Sequence, residues 1–224
     1  MPKRKKATSP RRFILSVAAI SALAALLLSI RIVHSDSSRY IFLYWNLLLA
    51  MLPPILAWWL VTRVRIYGWL KPKQIVLTAV WLLFLPNCFY IVTDFIHLRE
   101  TYEAALLYDV ALLMSFTMSG LALGYSSVYL VHRELKNRLN LRHTWYMISG
   151  VFLLSSFAIY LGRFSRWNTW DVILAPAGLL FDVSERVVNP AAHSETYVST
   201  LTVFVLLLTI YWVIWEAGEY IRGK

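Results

Sequence analysis

WLLFLPNCFYIVTDFIHL, residues Trp81–Leu98, decides how the rest of the chain is read. It begins as an apolar helix, meets Pro86, and then carries Asn87, Tyr90, Asp94 and His97 at successive spacings of three, four and three. At about 100° per residue those four side chains fall on one stripe of a helix that is otherwise apolar enough to lie in hydrocarbon. Unpaired polar groups are costly there, so the stripe has to face protein or water. The expectation is the wall of a site, or a polar contact between helices.

Composition points to the same setting. The chain is 59% hydrophobic and 15% charged, with a mean hydropathy of +0.59, whereas about a quarter of the residues of a soluble domain are charged. The 224 residues leave room for about six spans and short loops, at ~20 residues per span. The fold class is therefore all-α, a polytopic transmembrane helix bundle of about six spans. Cys88 is the single cysteine and sits inside a predicted span, which excludes an intrachain disulfide and a Cys-based zinc site.

Residues 1–12, MPKRKKATSPRR, read as a basic cytoplasmic tail, and 13–224 as one transmembrane helical domain. The apolar run 13–33 is longer than a secretory h-region and passes into Arg31 without a clear cleavage site, so it reads as an uncleaved first span. The further spans are expected at Tyr40–Thr62, Ile75–His97, Ala104–Val131, Thr144–Phe164 and Tyr197–Glu219. Residues 172–181, VILAPAGLLF, are apolar but too short to cross a core of about 30 Å, and they contain Pro176. They are expected to lie along the interface or to dip in and return. Pro53 and Pro54 should bend the second span, because each lacks a backbone donor. Gly120 and Gly124 in the fourth permit close helix contact inside the bundle.

Sixteen of the 22 Lys and Arg residues fall in the tail, the second and fourth loops and the C-terminus, and six on the alternate side. By the positive-inside rule this places both termini in the cytoplasm of a multi-pass plasma-membrane protein. The net charge of +10 is thus a topology signal, not a basic face for nucleic acid. Aromatic residues near the predicted ends, among them Tyr40, Trp45, Trp58, Trp145, Trp170 and Trp215, fit interfacial belts.

With that orientation, unlike polar groups from several helices meet in the outer half. Asp94 and His97 end the third span, Asp109 opens the fourth, Asn46 lies early in the second, and Tyr160, Arg163 and Trp167 share a stripe on the fifth, followed by Asn168, Trp170 and Asp171. The candidate pocket comprises Asn87, Tyr90, Asp94, His97, Asp109, Arg163, Trp167, Asn168 and Asp171.

The segments LFLPNCFYIVTDFIHL (Leu83–Leu98) and SFAIYLGRFSRWNTWD (Ser156–Asp171) resemble the two signature stretches of an uncharacterised bacterial membrane family, domain-of-unknown-function family 1361. The resemblance extends from about Tyr40 to the last span. It implies a small multi-span protein with no assigned activity, and brings no catalytic residues with it.

Four functional readings follow from the residues, the last a scaffold role through the basic cytoplasmic loops, whose charges topology and anionic lipid already explain. In the first, the cluster only ties helices together, with Arg163 paired to Asp94 or Asp109, because a charge at membrane depth needs a partner. In the second, an outward-facing pocket holds a small anionic solute or a lipid headgroup, with Arg163 as the fork and Trp167 and Trp170 as an aromatic rim. In the third, Asp94 and His97 form the oriented base of a membrane-embedded hydrolase or transferase, Asp109 being a further catalytic candidate or the third member of a metal set. No metal is expected, since Arg163 opposes a cation and H-E-x-x-H is absent. No cofactor is expected either: there is no Walker glycine loop and no lysine in the last span for a retinal Schiff base. The expected partner is the lipid bilayer itself.

Overall fold

A computed structural model describes residues 10–35, 39–100 and 103–223; of the expected basic tail, residues 1–9 lie outside them. Six helical segments are long and apolar enough to cross a membrane: Arg11–His34, Phe42–Tyr67, Pro72–Arg99, Ala105–Lys136, Leu141–Phe164 and Pro190–Ile221. Each coincides with one expected span. No strand occurs among the described residues.

Proline divides two of the spans. The second consists of α2 (Phe42–Ala50) and α3 (Leu52–Tyr67), interrupted at Met51. Pro53 and Pro54 sit in the first turn of α3, where a missing N–H removes no helical bond, so the break falls just before them. The third consists of α4 (Pro72–Phe84), α5 (Pro86–Tyr90), which Pro86 opens, and a 3-10 helix over Ile91–Glu100. The remaining spans are α1 (Pro10–Ser35), α6 (Glu103–Lys136), α7 (Leu141–Phe164) and α10 (Ser194–Gly223). Asn140 caps α7, its side chain accepting from the His143 N–H at 3.0 Å.

The segment expected at the interface forms two short helices, α8 (Asp171–Leu174) and α9 (Pro176–Val188). The 13 residues of α9 extend about 20 Å, too little to span. Leu180, Phe181, Val187 and Val188 are exposed on one side of it, while Asp182 and Arg186 are turned inward. Below, the end of the bundle that carries α8 and α9 is called the α9 end.

Helix α6 is the axis of the bundle, packing on α1, α3, α5, α7 and the 3-10 segment. Small residues let it approach α5. The Cβ of an alanine at Gly120 would collide with the Cys88 carbonyl oxygen, and one at Gly124 would come within 2.6 Å of the Phe89 ring. Cys88 is buried at that contact, its thiol donating to the Ala50 carbonyl oxygen at 3.2 Å. Phe89, Tyr125, Phe152 and Tyr211 form a continuous aromatic core beneath it.

The aromatic belt needs correction. Trp58 and Tyr146 are well exposed, but Tyr40 and Trp215 are buried. Trp215 stacks on His132 with ring centroids 3.7 Å apart, and Trp145 meets the same imidazole edge-on at 4.9 Å. His132 also bonds the Tyr211 hydroxyl at 2.8 Å. Polar groups are thus gathered at the opposite end as well, where buried Glu134 accepts from Arg65 at 2.9 Å and Arg138 at 3.0 Å.

Because the obstacle at position 120 is backbone, Gly120→Ala is expected to destabilise by about 1–3 kcal/mol despite alanine's helix preference. Thermal unfolding in detergent reads this as a lower Tm. Gly150→Ala, where nothing lies within 4 Å, should leave the Tm unchanged or raise it.

Candidate functional site

The site is set by a change of winding in the third span. Ile91, Val92 and Thr93 are β-branched residues that crowd an α-helix, and from Ile91 onward the backbone tightens to about three residues per turn. The expected single stripe is consequently split. Asn87, Tyr90 and Thr93, three residues apart, face α7 and the segment after it; Asp94 and His97 face α2.

On the first face, the Arg163 Nε donates to the Thr93 hydroxyl at 2.9 Å and the guanidinium lies over the Tyr90 ring at 4.9 Å. Asn87 donates to the Thr169 hydroxyl at 3.1 Å and to the Phe84 carbonyl at 2.9 Å. On the second face, Asn46 of α2 donates to Asp94 at 3.1 Å, and one turn earlier Phe42 packs on the His97 ring, centroids 5.1 Å apart. Arg39 donates to the His97 backbone carbonyl. Arg163 joins the two faces, its Nη2 reaching Asp94 at 2.6 Å. Asp94 is fully buried and the Arg163 side chain is 15% exposed. Both carboxylate oxygens of Asp94 accept charge-assisted or amide hydrogen bonds, the arrangement a buried carboxylate requires.

Asp109 does not join this cluster. It pairs with Arg31 at the end of α1, with donor distances of 2.6 and 3.2 Å, and accepts from the Tyr40 hydroxyl at 3.2 Å. The sequence put both aspartates at one level, but α6 turns Asp109 toward α1. Among the described residues no three His, Cys, Asp or Glu side chains converge on one point.

Beside the ion pair lies a cleft of about 220 Å³. Its back is α5, which packs against both α2 and α7. Trp45, Asn46 and Leu49 line it from α2, Asn87 and Tyr90 from α5, Ala158 and Gly162 from α7, and Trp167 to Trp170 across the top, with Leu179 of α9. Trp45 and Trp170 meet edge-on, 6.4 Å between centroids. Of the nine residues named from the sequence, Asn87, Tyr90, Trp167 and Asn168 line this cleft. Asp94 and Arg163 brace its wall through Asn46 and Tyr90, His97 packs against Phe42 of α2, and Asp171 fixes the loop by accepting from the Asn168 backbone N–H at 2.6 Å. Thr93, Thr169 and Asp182 were missed. Thr93 becomes visible only if the segment is read at a period of three.

The profile of a family described as "Protein of unknown function (DUF1361)" matches residues 45–210. The chain belongs to that family. Neither a curated protein nor a solved structure matches it. The DUF1361 match takes in every cleft residue, together with Asp94 and Arg163, and leaves out α1 with Arg31.

The cleft is roofed through Trp167. Arg166 takes a left-handed backbone, φ 60°, and turns the chain so that the Trp167 N–H returns to the Leu161 carbonyl at 3.2 Å. The Trp167 indole then donates to Asp182 of α9 at 2.8 Å, and Arg186 holds the other Asp182 oxygen at 2.9 Å. Burial raises the Asp182 carboxyl, but hydrogen bonds from Trp167, Arg186 and Ser165 outweigh it and hold the group below its ordinary value. The docking of α9 is thus at full strength above the ordinary aspartate range and weakens as pH falls through that depressed value.

Two outcomes are expected from this geometry. Removing one member of the buried pair strands the other: Asp94→Asn and Arg163→Gln should each cost about 3–5 kcal/mol, read as lower thermal stability, and the two combined should recover most of it. Acidification below about pH 4, the ordinary range for aspartate, should release α9 to protease cleavage and change Trp167 fluorescence. In Asp182→Asn cleavage should already occur at neutral pH.

Proposed function

We propose that this DUF1361 protein is a multi-pass protein of the plasma membrane, both termini cytoplasmic, whose cleft faces outward and holds the polar part of a small solute or lipid headgroup. The carrying observation is the cleft itself: polar side chains from α2, α5 and the 168–169 segment are gathered round open space. The distribution of Lys and Arg supports the orientation, since the loops at the opposite end hold the excess. A site at the junction of helices, mostly apolar with a few convergent polar groups, is the usual form of a small-molecule pocket.

A structural role for the Asp94–Arg163 pair is favoured by its closed hydrogen bonding. The two readings are compatible, because the pair braces the wall and does not line the space. Catalysis by Asp94 and His97 gains no support, since the carboxylate is held by Arg163 and Asn46 while the imidazole packs on Phe42.

Ala158→Trp fills the cleft without touching the ion pair. Untargeted lipid and metabolite mass spectrometry on material co-purified with wild type and with this variant should show a compound lost from the variant at unchanged Tm; identical profiles would leave only the structural role. A phosphatase reporter fused after Lys224 should be inactive, and activity outside the cell would reverse the orientation.

A further inference from the structure

The residues around the cleft carry a chemical bias that goes further than polarity. None of them is Asp, Glu, Lys, Arg or His. Arg163, behind Tyr90, has its fork turned to Asp94 and Thr93 and presents its plane to the Tyr90 ring. Asp171 is likewise occupied by Asn168. The space is therefore electrically neutral, and an ion entering it would lose hydration with no counter-charge to meet.

The polar atoms that remain include acceptors and donors, the Trp45 and Trp170 indole N–H groups and the Thr169 hydroxyl among the donors. Asn46 uses one amide N–H on Asp94, and Asn87 uses both of its own on Thr169 and Phe84. That leaves both amide carbonyl oxygens without a partner among the described residues. The Tyr90 hydroxyl adds a group that can donate or accept. Lining the same space are the indoles of Trp45 and Trp170, the edge of one against the face of the other with 63° between their planes. Hydrogen-bonding groups of both kinds beside aromatic rings suit a ligand with several hydroxyls, which donate and accept, and apolar C–H faces between them.

We infer that the cleft binds an uncharged polyhydroxyl group of the sugar type, its hydroxyls donating to Asn46 and Asn87 and its C–H face lying on Trp45 and Trp170. The inference rests on the reading of the cleft as a binding site and names its ligand class. The group can be free in solution or carried on a lipid. Trp45 lines the cleft and is 54% exposed, so the cleft reaches the side of the bundle, which a lipid-borne head requires.

The test is native mass spectrometry of the full chain in an amine-oxide detergent, free of sugar headgroups. Three probes are offered at equal concentration: monogalactosyl diacylglycerol, phosphatidylglycerol and free galactose. Retention of the galactolipid at least tenfold above phosphatidylglycerol, reduced about tenfold in Asn87→Leu and in Trp45→Ala, supports the inference with a lipid-borne source. Retention of galactose as well supports it with a free one. Trp45→Ala removes a half-exposed side chain, so a fold defect in Asn87→Leu does not remove the test. Preference for phosphatidylglycerol that is lost in Ala158→Trp overturns the sugar class while leaving the cleft a binding site. Equal retention of all probes by wild type and Ala158→Trp overturns both.

Discussion

A carboxylate with no exposed surface has to be answered by the protein alone, and at the α9 end that constraint is Asp94. Its two oxygens draw in Arg163 from α7 and Asn46 from α2, so three spans that are distant in sequence are tied at one point. In hydrocarbon there is no water to substitute for a missing partner, and helices gain little from apolar contact with one another that lipid does not also give. A polar knot of this kind fixes which helices are neighbours and at what height. The Arg31–Asp109 pair does the same for α1 and α6, and Glu134 with Arg65 and Arg138 for α3 and α6 at the other end.

The cleft is a by-product of that arrangement with a shape of its own. Asn46 and Tyr90 each have one side on the ion pair and the other on the cleft. The charge is contained behind them while the amide and phenol face the space. Gly162 keeps the α7 wall low, since a Cβ there would sit 3.2 Å from the Tyr90 ring and 3.4 Å from the Trp167 carbonyl. Ion pair, wall and roof are consequently one construction, with Trp167 carrying the connection on to α9.

Much of this was legible in the residues because the membrane allows so few solutions. Apolar runs of the right length could only be spans, and residues 172–181 were too short to be one. The pairing of Asp94 with Arg163 was foreseeable, since buried charges seek partners, but the choice between Asp94 and Asp109 was not: it depends on which way α6 is rotated. The stripe of Asn87, Tyr90, Asp94 and His97 was drawn at the α-helical period, and the β-branched Ile91–Thr93 run changed that period midway. Trp145 and Trp215 looked like belt residues because position along a span says nothing about whether a ring points to lipid or to His132.

The tightened stretch after Ile91 has a mechanical meaning. A 3-10 helix advances about 2.0 Å and 120° per residue, against about 1.5 Å and 100° for an α-helix. Between Ile91 and His97 the difference amounts to about a third of a turn and about 3 Å of length. The end of this span is therefore a wound screw, held at its present pitch by what grips Asp94 and Thr93, and any relaxation of the winding would be delivered at His97 as rotation and retraction together.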